Sequence, residues 1–194
     1  MGDPRKFKSK YSGPGHPWQL ARIEEERILV REYGLRTKRE LWKVSSKLKA
    51  FANQAKRVIA LKTGQAELEG KQLLGRLHKL GLLPGGAKLD DVLALNIKNL
   101  LDRRLQTIIL KKGFARTPLQ ARQFIIHEHV VVGKRNVTAP SYLVPVEEEA
   151  SVSLVAASTL ANPEHPERSI KSKPKATIAR AAKEGFRGRK GGRR

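Results

Sequence analysis

Residues 100–154 read LLDRRLQTIILKKGFARTPLQARQFIIHEHVVVGKRNVTAPSYLVPVEEEASVSL, and the order of the local signals in this stretch decides the fold. Leu100, Leu101, Leu105, Ile108 and Ile109 recur at three- and four-residue steps. That spacing gives one helix a single apolar face, and Gly113 closes it in the left-handed conformation that glycine adopts most readily. A second helix starts at once: Thr117 can cap it, Pro118 takes the first helical position, and Gln120 stands three residues after the cap, as a capping box requires. Its expected inner face is Leu119, Ala121, Phe124 and Ile125. Val130, Val131 and Val132 then switch to β-branched strand chemistry, residues 133–136 make a turn, and Val137, Leu143 to Val146 and Val152 to Leu154 predict further short strands.

Cations are concentrated on this stretch. Arg103, Arg104, Lys111, Lys112, Arg116 and Arg122 fall in or beside the two helices, and Lys134 and Arg135 sit on the turn. A compact helix pair with that density of positive charge presents a basic face to an anionic partner. Gln120, Gln123, His127, Asn136, Ser141 and Tyr142 are interleaved, so the face also offers neutral hydrogen bonds and a ring for stacking. This mixture suits folded RNA better than a featureless polyanion.

The whole chain repeats the bias. It has 194 residues and a formal net charge of +22, which fits one or two small domains resting against a polyanion. Nucleic acid is favoured over an anionic membrane, because no apolar run reaches transmembrane length and the N-terminus lacks the apolar core of a signal peptide. Cysteine is absent, which excludes a disulfide framework, a thiolate nucleophile and a cysteine zinc site. The expected location is the cytoplasm.

Four regions follow from composition. Residues 1–16 form an irregular basic arm carrying Arg5, Lys6, Lys8 and Lys10. Residues 17–99 are helical. The first helix begins near Pro17-Trp18, turns Leu20, Ile23 and Ile28 to one side, and stops at Gly34. The second has the clearest amphipathic pattern, Leu41, Val44, Leu48, Phe51, Ala55 and Val58, behind a Thr37-x-x-Glu40 capping box. Its polar face holds Lys43, Lys47, Lys56 and Arg57 among other lysines, with Glu40 alone to balance them. A solvated lysine face is the ordinary reading of such a pattern. The lack of intrahelical acidic partners here favours contact with RNA. A third helix spans 65–83 with Leu68, Leu73, Leu74, Leu77 and Leu80, Pro84-Gly85-Gly86 forms a linker, and a short helix over 89–95 leads into the module at 100–156. Residues 157–194 are a basic extension; from Glu167 onward eleven cations face two anions, a composition expected to be disordered in isolation.

Catalytic machinery is missing from the sequence. There is no phosphate-binding loop, dinucleotide fingerprint, HExxH or GxSxG motif, and no segment outside the module is long and acid-rich enough for a catalytic domain. His127-Glu128-His129 would project two imidazoles to one side if it entered a strand, but without an evident third ligand it is read as structural or RNA-contacting. Glu147-Glu148-Glu149 is read as an exposed acidic turn facing a basic neighbour protein. No metal and no cofactor are expected.

Leu101-Asp102-Arg103-Arg104-Leu105, Gly113-Phe114-Ala115, Gln120-Ala121-Arg122-Gln123, His127, the valine strand with Gly133-Lys134-Arg135, and Pro140-Ser141-Tyr142 resemble the small RNA-binding module named after ribosomal protein S-four. Two positions depart from its usual pattern: Pro118 stands where an arginine is common, and the turn reads Val132-Gly133-Lys134-Arg135. The opening Met1-Gly2-Asp3-Pro4-Arg5-Lys6, the segment His16-Pro17-Trp18 with Glu32-Tyr33-Gly34-Leu35-Arg36 and Leu41-Trp42, and Lys79-Leu80-Gly81-Leu82-Leu83-Pro84 extend the resemblance to the small-subunit S-four family in its archaeal and eukaryotic form, from residue 1 to about 156.

The fold so implied is α+β: a mainly helical N-terminal part, then two helices packed on a short twisted antiparallel sheet, between basic termini. The function implied is that of a primary binder of small-subunit rRNA, which nucleates assembly of the subunit body. It lies near the path of incoming mRNA beside the proteins numbered three and five, and contributes to translational accuracy. The candidate RNA contacts are Arg5, Lys6, Lys8, Lys10, Lys43, Lys47, Lys56, Arg57, Arg103, Arg104, Lys111, Lys112, Arg116, Gln120, Arg122, Gln123, His127, Lys134, Arg135 and Tyr142.

Overall fold

The computed structural model describes residues 9, 11–61, 63–162 and 165–166. Of the two basic termini expected from the sequence, residues 1–8 and 10, which include Arg5, Lys6, Lys8 and Lys10, and residues 163–164 and 167–194 lie outside them. Among the described residues no helix is long and apolar enough to cross a membrane.

The chain runs α1 (Leu20–Glu32), α2 (Lys38–Ala60), α3 (Gly64–Lys79), α4 (Leu89–Leu93), α5 (Ile97–Asp102), α6 (Leu105–Lys111), α7 (Pro118–Ile126), β1 (Val130–Val132), β2 (Arg135–Asn136), α8 (Val146–Glu149) and β3 (Val152–Leu154), ending in a 3-10 turn at Thr159–Ala161. The three strands form one antiparallel sheet in the order β2-β1-β3, with Val131 opposite Asn136 on one side and Ser153 on the other. Strand alternation turns Val130 and Val132 inward. There they meet Leu105, Ile108, Ile109, Phe124, Ile125 and Val144 in the module's core, to which Leu160 also belongs. Each of the fully buried Leu and Ile side chains contributes about 1.5–3 kcal/mol relative to exposure.

The helical part has its own core. Phe51 and Ala55 of α2 pack on Leu73 and Leu77 of α3, on Leu83, Val92 and Leu95, and on Leu100. A smaller cluster of Tyr33, Leu35, Leu41 and Leu101 joins the end of α1 to α2 and α5. Thr63 caps α3 by accepting the Ala66 N–H, and Gly81 (φ +66°) ends that region.

Several expectations are corrected. The single helix predicted through Leu100–Ile109 is two, because the backbone of Arg103–Leu105 leaves the helix to pair with residues 142–144: Leu105 N–H donates to Tyr142 O (2.8 Å) and Val144 N–H to Arg103 O (3.0 Å). The Thr107 hydroxyl spans the break by donating to Leu101 O. Leu143 to Val146 is accordingly no strand; Leu143 forms an isolated bridge to Arg104, and Val146 opens α8. Val137 likewise lies outside the sheet. Leu119 of α7, and Leu20 and Ile28 of α1, point to solvent. The buried residue of α1 is Glu26, which takes hydrogen bonds from Arg22 and Trp42. Leu68 of α3 is also exposed.

Neither capping box closes as read. Thr37 makes no side-chain cap to α2, and Glu40 is turned away to other partners. Thr117 does cap α7, accepting the Gln120 N–H, but the Gln120 side chain accepts from Arg116 N rather than from the cap residue.

The two parts are tied by buried polar contacts. Gln106, almost fully buried, donates from Nε2 to Gly34 O (3.1 Å) and Pro118 O (2.7 Å), and the Tyr33 hydroxyl donates to Asp102 (3.0 Å). Gly34 (φ +58°) sits so close to α7 that a Cβ there would be 2.6 Å from Pro118 Cβ.

Candidate nucleic-acid interface

Between α2 and α3 on one side and the loop at residues 140–145 on the other runs a groove of two chambers, about 870 and 350 Å³. Lys47, Ser141 and Leu143 line both chambers. Lys43 and Arg122 face the smaller, Arg76 and Lys79 the larger. An amphipathic α2 dictates this: packing Phe51, Ala55 and Val58 inward forces the intervening lysines outward, toward the module's loop at one end and to open solvent at Lys56 and Arg57.

Glu40 anchors the groove's floor. Its carboxylate accepts from Arg104 (2.8 Å) and Arg122 (3.0 Å), joining the start of α2 to two separate helices of the module. Burial pushes the Glu40 carboxyl up, but the hydrogen bonds from Arg122 and Arg104 outweigh it and hold the group below the usual carboxylate range. Arg104 is only 2% exposed, with no more than an edge on the smaller chamber. Its placement is that of a brace behind the groove. Arg122 retains an edge on the smaller chamber.

The module's other basic residues divide in the same way. Arg103 donates to Glu149 (2.7 Å) and Val144 O (2.9 Å), and Lys112 donates to Glu149 O and to Val152 O (3.1 Å). These two cations hold α8 and β3 against α6. Lys111 reaches Asp102 (3.4 Å) and Arg135 reaches Glu148 (3.3 Å), both loosely and with most of the cation in solvent. Arg116, Gln123, His127 and Lys134 are exposed, while Gln120 is half-buried. Tyr142 donates its hydroxyl to Glu148 (2.6 Å); that hydrogen bond, with burial, raises the phenol above its usual value, so it remains a donor at neutral pH.

Glu147–Glu149 is therefore corrected from an exposed acidic turn to a short helix whose Glu148 accepts from Tyr142 and pairs with Arg135 and whose Glu149 pairs with Arg103. Only Glu147 faces the groove. His127-Glu128-His129 is not entering a strand; it is the turn that ends α7, with Glu128 at φ +62°. The two rings lie 6.4 Å apart, and His129 Nδ1 is 3.1 Å from the Ser158 hydroxyl. Among the described residues no group of three metal-ligating side chains occurs.

Arg76 and Lys79 were not among the predicted contacts. On the sequence they read as ordinary polar-face residues of α3, and only the packing of α3 beside α2 puts them on the wall that faces the 140–145 loop. Arg76 is steadied over the Phe51 ring (5.7 Å). Burial and the Arg76 charge together hold the Lys47 ammonium below its usual value.

The profile of the S4 domain matches residues 103–149, which span α6 through α8. Over 169 residues the chain is 48% identical to the small ribosomal subunit protein uS4 of Methanococcus aeolicus, an alignment covering 87% of this chain and 96% of that protein. The chain belongs to the uS4 family. Two other uS4 proteins agree: that of Sulfurisphaera tokodaii is 47% identical over 77% of this chain and 85% of its own length, and one from Methanococcus maripaludis is 45% identical over 87% and 95%. In this uS4-family chain the S4 domain supplies one wall of the groove, and the helical part that precedes it supplies the other.

Proposed function

We propose that this chain is a structural constituent of the small ribosomal subunit that binds its rRNA early and nucleates folding of the subunit body. It acts by binding, not by catalysis. The observation that carries the reading is the groove: Lys43, Lys47, Arg76 and Lys79 converge on a cleft whose two walls are locked together by Glu40 and Gln106. Cations supply affinity through counterion release, and fixed walls select RNA by shape. A protein whose two RNA-gripping parts cannot move apart favours the RNA conformer that fits both, and so shifts a junction of helices toward its folded form. The exposed set, Lys43, Lys47, Lys56, Arg57, Lys111, Arg116, Gln123, His127, Lys134 and Arg135, with the edge of half-buried Arg122, is the proposed contact surface. Arg103, Arg104 and Lys112 act behind it. The finer reading places the protein in the cytoplasm, beside the proteins numbered three and five where mRNA enters, with an influence on accuracy.

The test is a salt series with small-subunit rRNA and duplex DNA, comparing the full chain with a Lys43→Gln/Lys47→Gln variant. The reading expects rRNA to be preferred at every salt concentration, and the slope of log K against log salt to flatten by about 1 for each lysine removed. Equal affinity for both nucleic acids would defeat it.

A further inference from the structure

Helix α3 supplied none of the predicted contacts, yet its outer face surrounds Gly75 with Gln72, Arg76 and Lys79. The helix has three glycines; one has a packing reason and one stands at the helix start, outside its interior. Gly64 is the first residue behind the Thr63 cap, and Gly70 lies where a Cβ would be 3.2 Å from Val58 Cγ1. Gly75 has no such reason. It is in the helix interior, exposed, and a Cβ built there meets nothing within 4 Å. Glycine at such a position weakens a helix relative to alanine, since it loses more backbone freedom and packs nothing. No contact inside the chain offsets that loss. What the missing side chain provides is access to the helix backbone for something that approaches closely.

The surroundings identify the class of partner. Gly75, Arg76 and Lys79 line the larger chamber, opposite Ser141 and Leu143. Among the described residues no carboxylate pairs with Lys47, Arg76 or Lys79, while the other wall of the larger chamber contributes the Tyr142 ring and Pro145, with Glu147 at its edge. Unpaired cations flanking a notch, across from apolar and aromatic surface, match a sugar–phosphate chain with an unstacked base. We infer that one strand of rRNA crosses α3 at Gly75, its ribose edge against the helix backbone and its phosphates on Arg76 and Lys79. This rests on the rRNA-binding reading above.

The experiment uses the full chain, a small-subunit rRNA transcript and a duplex DNA of matched length, over one salt series, with Gly75→Ala, Gly75→Leu and the control Gly64→Ala. Both Gly75 variants keep every charge and replace glycine with a better helix former, so their thermal midpoints should equal or exceed that of the parent. Overfilling a close contact should raise Kd for rRNA about threefold for Ala and about tenfold or more for Leu, with an unchanged salt slope and no effect from Gly64→Ala. Parental affinity in a folded Gly75→Leu protein would overturn the crossing and leave the rRNA reading intact. Should Leu fail to fold, Gly75→Ala decides by the same criterion. If the parent itself does not prefer rRNA to duplex DNA, both readings fall.

Discussion

Glu40 is the only carboxylate on a lysine-rich helix of 23 residues, and local rules assign it to a helix cap. Two guanidiniums from residues 64 and 82 positions later take it instead. No local pattern announces such a pairing, which is why the sequence reading placed Arg104 on the RNA face. Replacing Glu40 by Gln leaves the Arg104 charge buried without a counterion, and should lower unfolding stability in urea by about 3 kcal/mol. The pH dependence has a definite sign. A carboxyl held low in the folded state contributes stability above its unfolded value, near 4.5, and loses it as pH falls through the folded value. The parent should therefore weaken on acidification below about pH 4.5, and Glu40→Gln should show a shallower fall. Some slope will remain in the variant, because Glu26 is shifted in the same direction by Trp42, Arg22 and Lys38 against its burial.

Periodicity made most elements legible: α2 with Leu41, Phe51 and Val58, α7 behind Thr117-Pro118, and the valine strand β1 all stand where their spacing put them. Failures came where a tertiary partner outbid a local signal. Apolar spacing runs unbroken through Leu100–Ile109, but the backbone at Arg103–Leu105 pairs with residues some forty positions on and splits the helix. Three glutamates after Pro145 favour a helix start over the strand implied by Leu143–Val146, since negative charge is stabilising at a helix N-terminus. The groove itself was not legible, because it exists only once α3 and the 140–145 loop are apposed. Gly34 is where α1 and α7 meet, and Gly34→Ala combines a left-handed backbone with a 2.6 Å clash against Pro118. It should cost about 3 kcal/mol and lower Tm by about 6 °C or more. Gly113→Ala, also at positive φ but with open space around it, should cost about 1 kcal/mol.

For the whole molecule, the proposed function assigns strength of binding to charge and choice of partner to shape. Removing residues 167–194 deletes eleven cations and two anions. The groove is untouched by that deletion, so the salt slope should flatten markedly while the ratio of rRNA to duplex DNA affinity is largely kept. A filter-binding series on the truncated and full chains checks this; loss of the preference itself would move selectivity from the groove to the tail. Composition alone pointed to a polyanionic partner. It did not show that much of the module's positive charge is neutralised internally by Asp102, Glu148 and Glu149.

The brace at Glu40 also constrains the order in which a growing chain can mature. A nascent protein emerges from its N-terminus, so α2 is available long before Arg104 and Arg122. Until they appear, the lysine face of α2 stands beside an unpaired carboxylate, and the small cluster around Tyr33 and Leu41 waits for Leu101. The Glu40 brace and the Tyr33–Leu41–Leu101 cluster are complete only once residues 101–122 are made, although the core of Phe51, Ala55, Leu73 and Leu77 needs nothing later than Leu100. Both walls of the groove can stand together only in a chain that extends past residue 145.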